Sequence, residues 1–372
     1  MKVGAPKEIK PGEHRVGLTP AAVREFVARG HEVLVETGAG AGIGAGDDAY
    51  AAAGAEIVAE AATVFARAEL IVKVKEPQAV EWARLGPQHI LFTYLHLAPD
   101  PAQTRGLLAS GCTAVAYETV TDDHGGLPLL APMSEVAGRI AIEAAAAALR
   151  RTSGGPGVLM GGVPGVAPAR VLVIGGGVVG LNAARMAVGL GAEVVVLDRS
   201  LPRLRQLDDI FQGRAVTRFS TLDAIEDEAL KADAVIGAVL VAGARAPRLI
   251  TRPMLARMKP GAVLVDVAID QGGCFETSRP TTHADPVYVV DGVTHYCVAN
   301  MPGAVPRTSS FALGAATLPF GLALADGGLK ALRRDPHLRA GLNVFAGGLT
   351  SRPVGESLGL PWRDPAEALG GL

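Results

Sequence analysis

The strongest constraint on the fold is the run Gly175-Gly176-Gly177-Val178-Val179-Gly180, which matches G-x-G-x-x-G directly after the apolar segment Val171 to Ile174 and directly before a helical pattern over Leu181 to Leu190. A strand that turns at once into a helix needs glycine first for the tight turn, second so that backbone can approach a pyrophosphate, and third so that helix and strand pack closely. N–H groups at the helix start then offer themselves to phosphate oxygens. The spacing predicts a dinucleotide-binding βαβ unit from Arg170 to Asp198. Asp198 ends the next apolar segment, Glu193 to Leu197, where a carboxylate accepts bonds from ribose hydroxyls and repels a 2′-phosphate, which favours NAD over NADP. Arg199 and Arg203 stand close enough to offer such a phosphate a partner instead. A second glycine run, Gly40-Ala41-Gly42-Ile43-Gly44-Ala45, fits the looser G-x-G-x-x-A form but leads only to a short helical stretch from Asp47, with no acid-terminated strand at the right distance; it reads as a turn.

A chain of 372 residues is near the size of two domains, each able to bury its own core. Short apolar runs at Val3 to Ala5, His31 to Glu36, Glu56 to Val58, Leu70 to Val74, Ile90 to Leu95 and Thr113 to Tyr117 alternate with helical stretches, as in a parallel α/β sheet. Thr19-Pro20 caps the first of these helices and Gly30 closes it. A second series follows: Val171 to Ile174, Glu193 to Leu197, Ala234 to Val239, Val263 to Val267 and Tyr296 to Ala299. Between the two lies an alanine-rich helix over Met133 to Arg151, begun by Ser134. After Pro306 the pattern is helical, with a Thr308/Ser309 cap and no strand signal long enough to found another domain, so it is expected to return to the first. The expected fold is α/β, two doubly wound parallel sheets of Rossmann-like type, with residues 1–130 and 306–372 forming one discontinuous domain and 131–305 the other.

A formal net charge of −2 and the lack of a polybasic run give no attraction for nucleic acid or anionic lipid, which leaves a small molecule as the expected partner. Cys112, Cys274 and Cys297 lie far apart, which suits neither a disulfide framework nor a zinc site and fits a reducing cytoplasm. The opening Met1-Lys2-Val3-Gly4-Ala5-Pro6 places a charge and a proline where a signal peptide needs apolar residues. Phe311 to Ala325 is apolar throughout but shorter than the roughly 20 residues a bilayer demands, so it reads as a buried or subunit-interface helix.

Ligands of open parallel sheets bind beyond the carboxyl ends of the strands. Lys75, His96, Asp270 and Asn300 all stand just past expected strand ends. Hydride removal from carbon needs a base for the proton on the attached heteroatom and a cation for a substrate carboxylate. His96 and Asp270 suit the first task; Lys75 and Arg15, with its planar fork, suit the second. Bland alternatives stand beside each. His96 could be structural, Asp270 a loop residue satisfying backbone N–H groups, and Arg15 a surface residue beside Glu13. Lys73 and Lys75 could be charges defending an edge strand.

The residues resemble the alanine dehydrogenase family. Gly4-Ala5-Pro6-Lys7-Glu8 with Glu13-His14-Arg15-Val16 and Leu18-Thr19-Pro20 is similar to its N-terminal signature, and Val171 to Asp198 to its cofactor signature. Lys75-Glu76-Pro77, Tyr94-Leu95-His96, Ala131-Pro132-Met133-Ser134, Val267-Ala268-Ile269-Asp270 and Asn300-Met301-Pro302-Gly303 look like family motifs, in the family's order along essentially the whole chain. The resemblance implies reversible NAD-dependent deamination of L-alanine to pyruvate and ammonium. It implies Arg15 and Lys75 on the substrate carboxylate, and His96 and Asp270 as acid and base. It places Ser134, Gly175, Gly177, Val178, Gly180, Asp198, Arg203, Ser220, Val239, Leu240, Val267, Ala268, Ile269, Asp270, Arg279, Val298, Ala299, Asn300 and Met301 around NAD. It further implies a discontinuous substrate domain, an inserted NAD domain and a cytoplasmic homohexamer. Some relatives bind a divalent metal near the C-terminal helix; Gly321 to Gly328 here offers only Asp326, so no required metal is expected. The opening signature is shared with the NAD-binding subunit of proton-translocating transhydrogenase. That leaves a hydride carrier between cofactors, and a non-catalytic NAD sensor, as the other readings.

Overall fold

Apolar runs of three to six residues, too short for helices, pair edge to edge once helices cover both faces of the sheet they form. The computed structural model describes residues 1–239 and 246–370. The chain divides into two units, Met1–Met133 with Val305–Leu372, and Ser134–Ala304.

In the first unit β1 (Lys2–Ala5), β2 (Glu32–Glu36), β3 (Glu56–Val58), β4 (Leu70–Val72), β5 (Ile90–Thr93) and β6 (Thr113–Ala116) lie in the order β3-β2-β1-β4-β5-β6, all parallel. Every residue of β4, β5 and β6 is buried. The other unit repeats the plan. There β7 (Arg170–Ile174), β8 (Glu193–Asp198), β9 (Val216–Phe219), β10 (Ala234–Gly237), β11 (Val263–Asp266), β12 (Val287–Val290) and β13 (Val293–Tyr296) lie in the order β9-β8-β7-β10-β11-β13-β12. Only β12 runs antiparallel, against β13. Each sheet therefore reverses its winding once, between β1 and β4 and between β7 and β10, and opens a crevice at the carboxyl ends of those strands.

Several expected boundaries shift. The apolar runs overshoot the strands: β4 ends at Val72, β5 at Thr93, β6 at Ala116, β10 at Gly237 and β11 at Asp266, while β13 precedes the Tyr296 to Ala299 run rather than coinciding with it. Residues expected at strand tips thus sit in the loops beyond them. The segment after Pro306 holds two strands, β14 (Leu342–Phe345) and β15 (Gly348–Leu349), which extend the first sheet antiparallel beyond β6. They are too short for a period to register in the sequence. The helix expected from Thr308 begins at Pro306, so Thr308 and Ser309 lie inside it, and it runs to Gly327. At 22 residues it is long and apolar enough to cross a bilayer by length and composition. It is also a core element of its unit. It packs on helix Pro20–Ala28 and on β4, the Ser310 hydroxyl accepts the Val16 N–H at 3.1 Å, and Arg307 donates to the Ile43 carbonyl at 2.8 Å. The second glycine run forms a 3₁₀ turn over Ala41–Ile43.

Candidate active site

The cofactor end of the second unit follows from its glycine loop. Gly175 leaves β7 at φ +102°, where a side chain would be strained, and a Cβ there would press on the Ala238 carbonyl at 2.6 Å. A Cβ on Gly180 would lie 1.8 Å from the Gly175 carbonyl oxygen, so only glycine lets the helix start so close to the strand. Nothing stands within 4 Å of the position a Cβ on Gly177 would take. The helix begins at Val178, three residues earlier than its sequence pattern, and runs to Gly189. Gly177 is therefore its N-cap, and the backbone N–H groups of the first turn, which have no intrahelical acceptor, face the open side. These are the features a pyrophosphate requires.

Asp198 at the end of β8 accepts the Gly176 N–H at 2.6 Å through Oδ2 and the Ser200 N–H at 2.8 Å through Oδ1. It braces the glycine loop, and each oxygen retains a lone pair for a ribose hydroxyl. Arg203 turns to the same loop: its Nε donates to the Gly176 carbonyl at 2.5 Å and its Nη1 to Gln206 at 2.9 Å. In this arrangement it is a strut of the loop. Ser220 follows β9 and donates its N–H to the Asp198 carbonyl at 2.9 Å, and Val239, just past β10, flanks Gly175. Val267, Ala268, Ile269 and Asp270 follow β11 into a 3₁₀ turn over Ile269–Gln271, with Asp270 exposed. Val298, Ala299, Asn300 and Met301 follow β13, and Asn300 takes a left-handed φ of +62°. Arg279 stacks over the Tyr288 ring at 4.0 Å. Leu240 lies outside the described residues.

Ser134 is not a cap. The helix starts at Ala131 and ends at Ala148, so Ser134 lies inside it. Gly138, one turn on along the same face, lets this helix approach the Val179 carbonyl, where a Cβ would come within 2.3 Å.

The first unit gathers its polar groups on the carboxyl ends of four strands. Arg15 lies after β1, Lys75 after β4, His96 after β5, and Glu118 after β6. Arg15 is buried, not on the surface. Its Nε and Nη2 pair with the two Glu13 oxygens at 2.7 and 2.5 Å, and its Nη1 reaches the Met133 sulfur at 3.1 Å. Lys75 is half-buried, and its carbonyl accepts the Thr93 hydroxyl at 3.0 Å. His96 takes φ +47°, an uncommon conformation for a residue with a side chain. Glu118 holds it there: its carboxylate accepts the His96 N–H at 2.7 Å and the Leu95 N–H at 3.1 and 3.2 Å, and stands 3.8 Å from His96 Nδ1. The imidazole, exposed at its outer side, lies parallel to the Tyr94 ring with centroids 5.7 Å apart. Burial pushes the Tyr94 phenol up, and its hydroxyl donates to the Leu129 carbonyl at 2.6 Å.

Lys73 contradicts the edge-strand alternative. β4 lies between β1 and β5, and Lys73 is fully buried, 2.9 Å from both Glu8 and Glu81. Burial alone would lower its ammonium, but the two carboxylates hold it above its ordinary value. Burial pushes the Glu8 carboxyl up against the pull of Lys73. Glu8, Glu118 and the buried Asp266 were not singled out from sequence, because what marks Glu8 and Glu118 is partners 22 to 67 positions away and what marks Asp266 is its burial and the loop folded around it. Asp266 accepts the N–H groups of Ala268 and Cys274 at 3.1 and 2.8 Å and so shapes the turn that carries Asp270. Among the described residues no group of three or more His, Cys, Asp or Glu could hold a metal. Asp326 is paired with Arg29 and His31 at 2.8 and 2.9 Å.

Two sheets wound in the same doubly wound order, one bearing a phosphate-binding glycine loop with a carboxylate at the tip of the next strand, define a dinucleotide-dependent oxidoreductase. Residues 4–137 match the model described as alanine dehydrogenase/PNT, N-terminal domain, and residues 141–352 the one described as alanine dehydrogenase/PNT, C-terminal domain. The chain belongs to the alanine dehydrogenase/PNT family. It is 63% identical over 371 residues to the alanine dehydrogenase of Halomonas elongata, with all of both chains covered. A solved L-alanine dehydrogenase superposes with a TM-score of 0.94 at 49% identity, covering 96% of this chain and 99% of the other. A transhydrogenase from Sinorhizobium meliloti superposes less closely, with a TM-score of 0.81 at 26% identity over 95% of this chain and 99% of the other.

Proposed function

We infer that this chain catalyses the reversible oxidative deamination of L-alanine: L-alanine, NAD and water give pyruvate, ammonium, NADH and a proton. The observation that carries the inference is the convergence of Arg15, Lys75 and His96 on the carboxyl ends of adjacent strands in one unit, in a chain whose full-length relatives bear the alanine dehydrogenase name. The transhydrogenase-like alternative needs no substrate acid and base, and a sensor needs no histidine held in a strained conformation.

NAD bound at Gly175 to Gly180 and Asp198 supplies the hydride acceptor. Arg15, its guanidinium plane locked by Glu13, and Lys75 take the alanine carboxylate. Two cations on one carboxylate fix the direction of the Cα–H bond, which is catalysis by positioning. With Nδ1 turned toward Glu118, His96 Nε2 accepts the proton from the substrate ammonium before oxidation. Once that proton has passed to solvent, the neutral imidazole takes one from the water that adds to the iminium carbon and returns it to nitrogen, and the hydroxyl proton of the collapsing carbinolamine leaves with the ammonia as ammonium. An imidazole suits a reaction run both ways near neutral pH. Asp270, exposed on its turn, is the second acid/base group. Tyr94 and Met133, which lie against His96 and Arg15, confine the substrate side chain to a methyl group.

The test is NADH formation at 340 nm with alanine, serine, glycine and lysine, each with NAD and with NADP. Turnover selective for alanine with NAD is expected. Tight NADH binding without turnover of any amino acid would overturn the assignment in favour of a sensor.

A further inference from the structure

The crevice where a doubly wound sheet reverses its winding is where such sheets bind ligands, and in the first unit an ionic cluster fills it. Glu8 stands three residues beyond the end of β1, and Lys73 is the first residue beyond β4. The two strands pair only at Val3 with Leu70 and Gly4 with Ile71, then diverge. The main chain from Lys73 to Lys75 keeps its partners on the β5 side: the Lys73 N–H donates to the Phe92 carbonyl at 3.2 Å, and the Val74 carbonyl accepts the Tyr94 N–H at 3.2 Å. On the β1 side a side chain takes over. Glu8 Oε1 accepts the Val74 N–H at 2.6 Å and the Lys75 N–H at 3.4 Å, while Oε2 pairs with the Lys73 ammonium at 2.9 Å.

We propose that Glu8 is a positioning residue for the substrate carboxylate. Its carboxyl group replaces the missing β1–β4 ladder and fixes the backbone that presents Lys75, with the Lys73 ammonium holding its second oxygen in place. The proposal rests on the role given to Lys75 above. Three details support it. Glu8 is tied to three consecutive residues, 73, 74 and 75, whereas an ion pair alone would need only Lys73. Thr93 holds the Lys75 carbonyl from the opposite side, so the residue is gripped at both ends of its backbone. Glu81 shares Lys73 but sends its other oxygen to the Gln78 N–H at 2.7 Å, away from Lys75. The two glutamates thus have equal charge roles and unequal positioning roles.

That asymmetry is the test. E8Q, E8D, E81Q and K75Q are compared in the full-length protein by steady-state kinetics in both directions and by NADH fluorescence titration. E8Q is expected to raise KM for L-alanine and pyruvate about tenfold, the effect of losing one charge-assisted bond, with the NADH dissociation constant within twofold of the parent. E8D keeps the charge but shortens the reach and is expected to raise KM as well, which a purely ionic role would not do. E81Q is expected to lower the melting temperature and leave KM near the parent value. An E8Q chain with unchanged KM, or an E81Q chain that matches E8Q, overturns the proposal. K75Q separates the two layers: unchanged KM for pyruvate refutes the role of Lys75 itself, whereas weakened pyruvate binding in K75Q beside unchanged KM in E8Q refutes the positioning by Glu8 alone.

Discussion

Removing the Glu118 carboxylate should cost catalysis far more than it costs folding. His96 sits at φ +47°, a backbone state that costs a residue with a side chain about 1–2 kcal/mol. The compensation is visible: one partly buried carboxylate accepts the N–H groups of His96 and Leu95. A hydrogen bond to a charged group contributes about 1.5–3 kcal/mol when the alternative is an unmade bond, and less where water can replace it. Partial exposure of both residues favours the low end. A net loss of about 2 kcal/mol lowers the equilibrium constant for the held conformation about thirtyfold, at about 1.4 kcal/mol per tenfold. Glu118→Ala is therefore expected to lower kcat severalfold, and by up to about thirtyfold, in both directions, with the NADH dissociation constant unchanged and the melting temperature down by a few degrees. Initial rates at 340 nm with saturating L-alanine and NAD give kcat, and a thermal melt of the same sample gives the control. A folded E118A chain that turns over at the parent rate refutes the assignment of Glu118 as the support of His96.

Asp198→Ala removes both the ribose carboxylate and a brace of the glycine loop, so kcat/KM with NAD should fall at least tenfold while the ratio of NADP to NAD activity rises; parallel assays with the two cofactors check this. Gly180→Ala would place a methyl group 1.8 Å from the Gly175 oxygen, and the overpacked loop should lose NADH binding in a fluorescence titration and melt about 2–4 °C lower or more. Glu228 bridges Arg170 and Arg218; although burial opposes ionisation, those two arginines hold its carboxyl below the ordinary 4.5. Because the folded value is the lower one, its stabilisation is present above pH 4.5 and fades as pH falls through the folded value. Melts of E228Q and parent should therefore differ at pH 7 and converge below pH 4.5; a gap that persists unchanged in acid would contradict the ionic origin.

The path from sequence to structure was clearest where backbone chemistry leaves no choice. The glycine loop, its strand and the acid-terminated strand that follows stand where spacing alone put them, because a tight turn beside a helix start tolerates almost nothing but glycine. Strand ends were harder. Val74 and Leu95 continue the apolar pattern of their strands, but each loses one neighbour: β1 leaves β4 after Ile71, and the Glu118 carboxylate, not β6, takes the Leu95 N–H. β9 was invisible because Val216-Thr217-Arg218-Phe219 mixes an arginine into four residues, β14 because its partner in the sheet, β6, lies more than 200 residues upstream, and β15 because it is two residues long and pairs only with β14. The site divided in the same way. Lys75 and His96 were marked by position past a strand, whereas Glu118 and Glu8 became meaningful only once strand order brought them to the N–H groups they accept. Lys73 was misjudged for the same reason: a lysine next to an apolar run resembles an edge defence until two distant glutamates close around it.

The most direct test of the central claim is the fate of the Cα hydrogen. L-alanine deuterated at Cα is incubated with NAD and the chain, and the nucleotide and keto acid are analysed by mass spectrometry. The account predicts one deuterium in each NADH formed, with one pyruvate and one ammonium released per NADH. Nucleotide reduced without deuterium, or no reduced nucleotide at all from alanine, would contradict it.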